Sequence, residues 1–224
     1  MVLYADVMVT QTTLPDEAVD MTGSELHSRV LARLAAVLGF VLGERALVLS
    51  DIFVRVRGEN GPDKQVSPDI AVIPGAQPGT RTVYWVPDEP VPAVTLEVLS
   101  PANHRSDGAM VLAEKRALFG RIGVPAHIEI DPERGHITTW VNNGTELEEG
   151  DPDTSCEHPS LGGLRIEASP GQVRLFLPDG GEFVDTRTEI ARAEKAQAQA
   201  EEAQARAERL AQALRDAGID PETV

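Results

Sequence analysis

The six residues Val94-Thr95-Leu96-Glu97-Val98-Leu99 constrain this chain more than any other segment. Their aliphatic members would fall on both faces of an extended strand, which suits a strand covered on both sides rather than one facing water. A strand covered on both sides calls for helices layered on a sheet, the α/β arrangement. Glu97 is the exception within the run. Removing its charge from water costs several kcal/mol unless it is paired or bound to a metal. The alternative is an edge strand with Thr95 and Glu97 turned to solvent.

The rest of the chain supplies the layers. Ser24 is placed to cap a helix whose apolar residues Leu26, Val30, Leu34, Val37 and Val41 recur at helical spacing up to Gly43. Residues 46–57 alternate and read as a strand. The short apolar runs 69–73 and 93–99, bounded by Pro or Gly, read as two more. Helical period returns over 105–122 and stops before Gly123, and strands follow over 126–130 and 136–141 around a turn at Pro132–Gly135. An acidic loop from Thr145 to Glu157 precedes one or two further strands within 161–177. An α/β or α+β domain spanning 1–185 is therefore expected.

Residues 186–224 are a different material, rich in Ala, Gln, Glu and Arg, and read as one long helix. Ala193, Ala196, Ala200, Ala203, Ala207, Leu210, Leu214 and Ala217 form a heptad seam, which implies a homodimer or another coiled-coil partner through 190–217. The alternative is a solvated single helix whose alanines give that spacing by accident.

Composition limits what such a chain can bind. Its net charge is −16, and the 39 tail residues carry 6 basic and 8 acidic side chains, so the folded part is itself strongly acidic. Such a surface repels phosphate, which disfavours broad, salt-driven attraction to DNA or anionic lipid. Cys156 is the only cysteine, so neither an intrachain disulfide nor a Cys-based zinc site is available. The apolar stretch 35–42 is too short to span a bilayer and no leader pattern opens the chain; a cytoplasmic, non-membrane protein is expected.

Pro-Asp occurs six times, at Asp16, Asp63, Asp69, Asp88, Asp153 and Asp179, but only Asp69 opens an apolar strand. Alternation puts Asp69 on the face of Ala71 and Ile73; otherwise it caps a turn. On the helix over 105–122, with Val111 at zero, Leu118, Ile122, Lys115, Phe119 and Leu112 fall at roughly −20°, 20°, 40°, 80° and 100°. Lys115 thus lies inside the apolar arc, flanked by a solvated Glu114 and Arg116. An inward lysine must snorkel out or meet an acid, and it is one of three lysines against 17 arginines. Two carboxylates and one ammonium leave a charge of −1, suited to a divalent cation and a phosphodiester. Asp69 and Glu97 would hold Mg²⁺ or Mn²⁺, and Lys115 would orient water or meet developing charge. A buried ion-pair network without chemistry is the bland alternative.

Ser67-Pro68-Asp69-Ile70-Ala71-Val72, Leu96-Glu97-Val98-Leu99-Ser100-Pro101, Asp107 with Lys115, Gly123-Val124 and Ile130-Asp131-Pro132 resemble the Uma2 family of restriction endonucleases, over about residues 20–185. The resemblance implies the restriction-endonuclease-like PD-(D/E)XK fold, a mixed central sheet flanked by helices, followed here by the Ala-rich C-terminal helix. It also implies Asp69, Glu97 and Lys115 as catalytic residues, with Asp69, Glu97 and Val98 as metal ligands. The superfamily lysine stands two residues after the acid, where this chain has Leu99; the family's migrated lysine maps to Lys115. Phe119 stands where relatives commonly have Tyr, and His127-Ile128 where they often have an aromatic pair.

His27 points inward on the first helix, where the family often has His, as a satisfied core residue or an accessory to the site. Ser100 and Asp107 are further accessory candidates, Asp107 to anchor Ser100 or a second metal. His104 lies in the loop beside the site, facing phosphate or solvent. Cys156 and His158 read as structural or incidental. The function expected is a divalent-metal-dependent DNA endonuclease. The alternatives are a nuclease-fold binding or assembly module working through its coiled-coil tail, and a regulator that mimics acidic polymer.

Overall fold

The computed structural model describes residues 24–57, 62–86, 88–184, 197–199, 201–202, 204–212 and 214. Residues 1–181 form one compact unit and 182–224 a second. In the second unit the described residues from 197 onward are helical, with Leu210 58% exposed. Of the expected seam, Ala207, Leu210 and Leu214 fall in this helix, whereas Ala193, Ala196, Ala200, Ala203 and Ala217 lie outside the described residues.

The first unit opens with α1 (Glu25–Leu42), whose first turn is capped by Ser24: its Oγ accepts from His27 N at 3.2 Å. Gly43, at φ 54°, ends the helix. The single strand expected over 46–57 is two, β1 (Ala46–Ser50) and β2 (Phe53–Val56), which join different sheets. Asp51 breaks it by taking a left-handed φ of 53°, a conformation Asp tolerates better than most residues. Then come β3 (Lys64–Val66), β4 (Ile70–Pro74), β5 (Val83–Val86) and β6 (Val94–Val98). A single 3-10 turn, Pro101–His104, leads into α2 (Ser106–Arg121). The remaining strands are β7 (Ala126–Asp131), β8 (His136–Asn142), β9 (Leu147–Glu149), β10 (Ser155–Glu157), β11 (Arg165–Ser169) and β12 (Gln172–Phe176). The segment expected as an acidic loop therefore contains β9 and β10, and β3 and β5 are additions.

The main sheet runs β1-β4-β6-β7-β8-β9. Its β6–β7 pair is parallel and its other pairs are antiparallel. A parallel pair needs a crossover, and α2 is that crossover. Three-stranded sheets β3-β2-β5 and β10-β11-β12 complete the unit. The core on the α2 side joins Leu118 and Phe119 of the helix to Ala71 and Ile73 of β4, and to Val54, Val66, Tyr84 and Val86 of the β3-β2-β5 sheet. Packing the side chains of α2 against β4 in this way fixes the helix over the middle of the main sheet. On α1, which packs against β1 and β6, Leu34, Val37 and Leu38 are completely buried. With the turn that follows it, this helix is long and apolar enough by length and composition to cross a membrane, whereas the sequence expectation considered only 35–42. The fold uses its apolar side as core.

Candidate functional site

Asp69 immediately precedes β4 and Glu97 is the fourth residue of β6, and the two strands pair antiparallel with Ile70 opposite Leu96. β6 lies between β4 and β7, and Glu97 is 4% exposed, so the edge-strand alternative falls. Asp69 does not cap a turn either. Its Oδ2 accepts from Val98 N at 2.8 Å, which pins the Pro-Asp loop across to β6 next to Glu97.

From α2, Lys115 Nζ donates to Glu97 Oε1. The lysine side chain is 18% exposed, within an arc whose buried members include Leu112, Leu118 and Phe119. Val111, expected in that arc, is instead exposed. A helical wheel assumes uniform cover along the axis, whereas the first half of α2 packs on the 3-10 turn, where Leu112 is buried but Met110 and Val111 are exposed, and Leu118 and Phe119 of its second half enter the core beside β4.

Glu97 is the electrostatic centre. Desolvation, reinforced by the neighbouring Asp69 carboxylate and opposed by Lys115, raises its pKa to about 7. Only one of its oxygens is satisfied: Oε2 is buried with no hydrogen-bond partner among the described residues. An orphaned carboxylate oxygen beside a second carboxylate fits a hard divalent cation. No group of three His, Cys, Asp or Glu side chains forms a metal cage among the described residues. Two carboxylates with water in the remaining positions is the way Mg²⁺ is commonly held.

His27 reaches the same place from α1. Its Nδ1 lies 2.7 Å from Val98 O, and since a carbonyl can only accept, Nδ1 carries the proton and donates it there. Val98 is therefore engaged on both sides, its N–H by Asp69 and its carbonyl by His27.

Beside Glu97 lies a network that the sequence reading missed. In the parallel register Glu97 stands opposite Glu129, and Thr95 opposite His127, so all four share the face toward α2. The Arg116 guanidinium donates to Glu129 Oε1 at 2.6 Å and stacks on Trp140 at 4.2 Å, so Arg116 is not a solvated flank of the helix but a second inward cation. His127 is fully buried, with Nδ1 2.9 Å from Thr95 Oγ1 and Nε2 facing Glu129 Oε1 at 3.4 Å. Those partners assign the proton to Nε2, leaving Nδ1 to accept from the threonine hydroxyl. Burial lowers the His127 pKa despite Glu129, and the ring stays neutral. Burial pushes the Glu129 carboxyl up, but the His127 contact and Arg116 outweigh it and hold it below the ordinary carboxylate range. Adjacent carboxylates are thus driven apart, with Glu129 ionised and Glu97 poised near neutrality, a pattern typical of sites that do chemistry. The signal in the sequence was Ala-His-Ile-Glu-Ile-Asp, polar at every second position of a buried strand.

The accessory candidates divide. The partner of Ser100 is Asn103, whose Oδ1 accepts from Ser100 N at 2.7 Å and from Ser100 Oγ at 3.0 Å; Asp107 instead pairs with Arg105 at 3.9 Å, half exposed. His104 is not turned simply to solvent, because its Nε2 lies 3.0 Å from Oδ2 of the buried Asp131. Cys156 is buried with Sγ 3.6 Å from Thr139 Oγ1, and His158 Nδ1 accepts from Ser160 N.

Among solved structures, a protein from Anabaena variabilis described as "a putative nuclease belonging to DUF820" is similar at 18% identity over 61% of this chain and 74% of its own, with a TM-score of 0.46. No protein with a curated description matches. Residues 13–169 match the model of the family Uma2, described as "Putative restriction endonuclease". That match covers well over half of the chain and includes Asp69, Glu97 and Lys115: this chain belongs to the Uma2 family.

Proposed function

We propose that this protein is a divalent-metal-dependent nuclease that hydrolyses phosphodiester bonds in DNA. The observation that carries the reading is Glu97, buried beside Asp69 with one oxygen on Lys115 and the other without a partner. Asp69 and Glu97 would hold Mg²⁺ or Mn²⁺. When bound, such a cation acidifies water and polarises a phosphoryl oxygen. Lys115 is placed by its pairing with Glu97 to donate to the attacking water or to the charge developing on phosphate. His27 and the Val98 N–H act as positioning groups, holding the end of β6 and the Asp69 carboxylate in register. The family's description as a restriction endonuclease supports DNA as the substrate.

Incubation of supercoiled plasmid with Mn²⁺ tests this reading, comparing wild type with Asp69→Asn and Lys115→Ala. Metal-dependent cleavage lost in both variants supports it, and cleavage that survives both refutes the site.

A second reading, an assembly module that no longer cleaves, is favoured by the −16 charge and by the exposed Leu210 in the C-terminal helix. It predicts a dimer or a helix partner through 190–217, no cleavage, and no calorimetric metal binding.

A further inference from the structure

A strongly acidic nuclease needs some local surface on which a phosphate backbone can rest. One face of the β3-β2-β5 sheet differs in character from the rest of the chain. Strand alternation puts Phe53, Arg55 and Arg57 on one side of the β2 segment, while Val54 enters the core from the other. Arg55 pairs in register with Gln65 of β3 and Trp85 of β5, so these three side chains form a row across the same face. The Arg55 guanidinium lies 5.3 Å from the Trp85 ring centroid and that of Arg57 lies 5.6 Å from it. Phe53 is 47% exposed, an unusual position for a large aromatic.

This face begins beside the turn that carries Asp69. Ser67 Oγ donates to Ile52 O at 3.3 Å, so the start of β2 lies against the turn that delivers Asp69 two residues later. From there Phe53, Arg55 and Arg57 follow one another at about 6.7 Å, two strand residues at a time. That repeat is of the size of one nucleotide step in an extended single strand.

The cations can be released to a ligand. Arg55 is held by the neutral Gln65 at 2.6 Å, and Arg57 by Asp88 at 2.6 Å in a pair whose side chains are 67% and 52% exposed. Exposed pairs of this kind contribute little, so exchanging the carboxylate for phosphate costs little. Guanidinium groups stacked on an indole beside an exposed phenyl ring provide the two elements that bind unpaired nucleic acid, charge for the backbone and ring faces for the bases. A duplex keeps its bases stacked inside and offers nothing to the rings.

We propose that the Phe53-Arg55-Arg57-Trp85 face binds a single strand of DNA and leads it to Asp69. This rests on the nuclease reading for its purpose, but not for its test. Binding is measured by anisotropy of a fluorescent 15-nucleotide single strand and of the matching duplex, in EDTA, with the full chain carrying Asp69→Asn. The single strand binds more tightly than the duplex. Arg55→Gln with Arg57→Gln lowers the slope of log affinity against log salt by about 1.4, roughly 0.7 for each lost phosphate contact. Arg55→Lys with Arg57→Lys keeps that slope. Trp85→Leu weakens binding roughly 5- to 150-fold. Should that variant not fold, quenching of Trp85 emission by the single strand in a Trp140→Phe background reads the same contact. Single-strand affinity and salt slope unchanged by the arginine substitutions, or no single-strand binding at all, would overturn the proposal. Wild-type cleavage with binding indifferent to these residues overturns this surface alone. Arginine- and Trp85-dependent binding without wild-type cleavage overturns the nuclease reading and leaves the surface standing.

Discussion

Loading the site with a divalent cation should expel a proton, and the amount is set by Glu97. Its pKa is raised to about 7, chiefly by burial and further by Asp69, so the carboxyl is partly protonated at neutral pH, while a metal ligand must be ionised. The fraction protonated, and hence the protons released for each cation bound, is about 0.9 at pH 6, about 0.5 at pH 7 and about 0.1 at pH 8. Apparent affinity should accordingly rise about tenfold per pH unit below 7 and level off above it. Titration calorimetry of Mn²⁺ binding in two buffers of different ionisation enthalpy at each pH reads the proton count directly. Glu97→Gln should abolish the release and weaken binding. A cation that binds with no proton release at pH 6, or with a release that does not change from pH 6 to 8, would show that Glu97 is already ionised and that its electrostatics have been misjudged.

The same electrostatics govern stability. Glu97 has a folded value above its ordinary 4.5, so its contribution to stability is fully present below about pH 4.5 and is lost as pH rises through about 7. Glu129 is held low, so its contribution is present above the ordinary range and is lost as pH falls through its folded value. In urea unfolding followed from pH 3 to 9, Glu97→Gln should flatten the loss between about pH 4.5 and 7 and Glu129→Gln the loss at acid pH; no change in either limb refutes the assignment. Lys115→Met leaves Glu97 without its cation and should cost about 3 kcal/mol at pH 8.5. Because Glu97 can take up a proton, the loss should be at least about 1 kcal/mol smaller at pH 5.5; equal losses at both values argue against the buried pair. Gly108→Ala would set a Cβ 2.1 Å from Ala102 O, a backbone atom that no rotamer can move. It should destabilise by about 1–3 kcal/mol despite the better helix propensity of alanine, and a raised melting temperature would contradict the packing of α2 on the 3-10 turn.

What the sequence made legible, and what it hid, follows from the range of each signal. Periodicity is local, so both helices, the strand that carries Glu97 and the inward direction of Lys115 could be read from neighbouring residues alone. The same local logic ran straight through Asp51, because the apolar alternation continues on both sides of it; only the left-handed backbone at Asp51 separates β1 from β2, which join different sheets. β3 and β5 span three and four residues, too few for a period to show. Arg116 looked solvated because a wheel records where a side chain starts and not how far it reaches. Glu129 and His127 became part of the site only through the β6–β7 register, a pairing of residues 32 positions apart in the chain. The metal-type triad was thus visible one residue at a time, and the ionised partner beside it was not.

The central claim is that Asp69 and Glu97 together hold one divalent cation. Anomalous diffraction from crystals grown with Mn²⁺ tests it most directly. The account predicts a peak bonded to a carboxylate oxygen of each residue at about 2.1 Å, with the Glu97 Oε2 atom no longer orphaned. A well-ordered site with no anomalous peak between the two carboxylates at saturating Mn²⁺, or a peak held elsewhere in the chain, would contradict it.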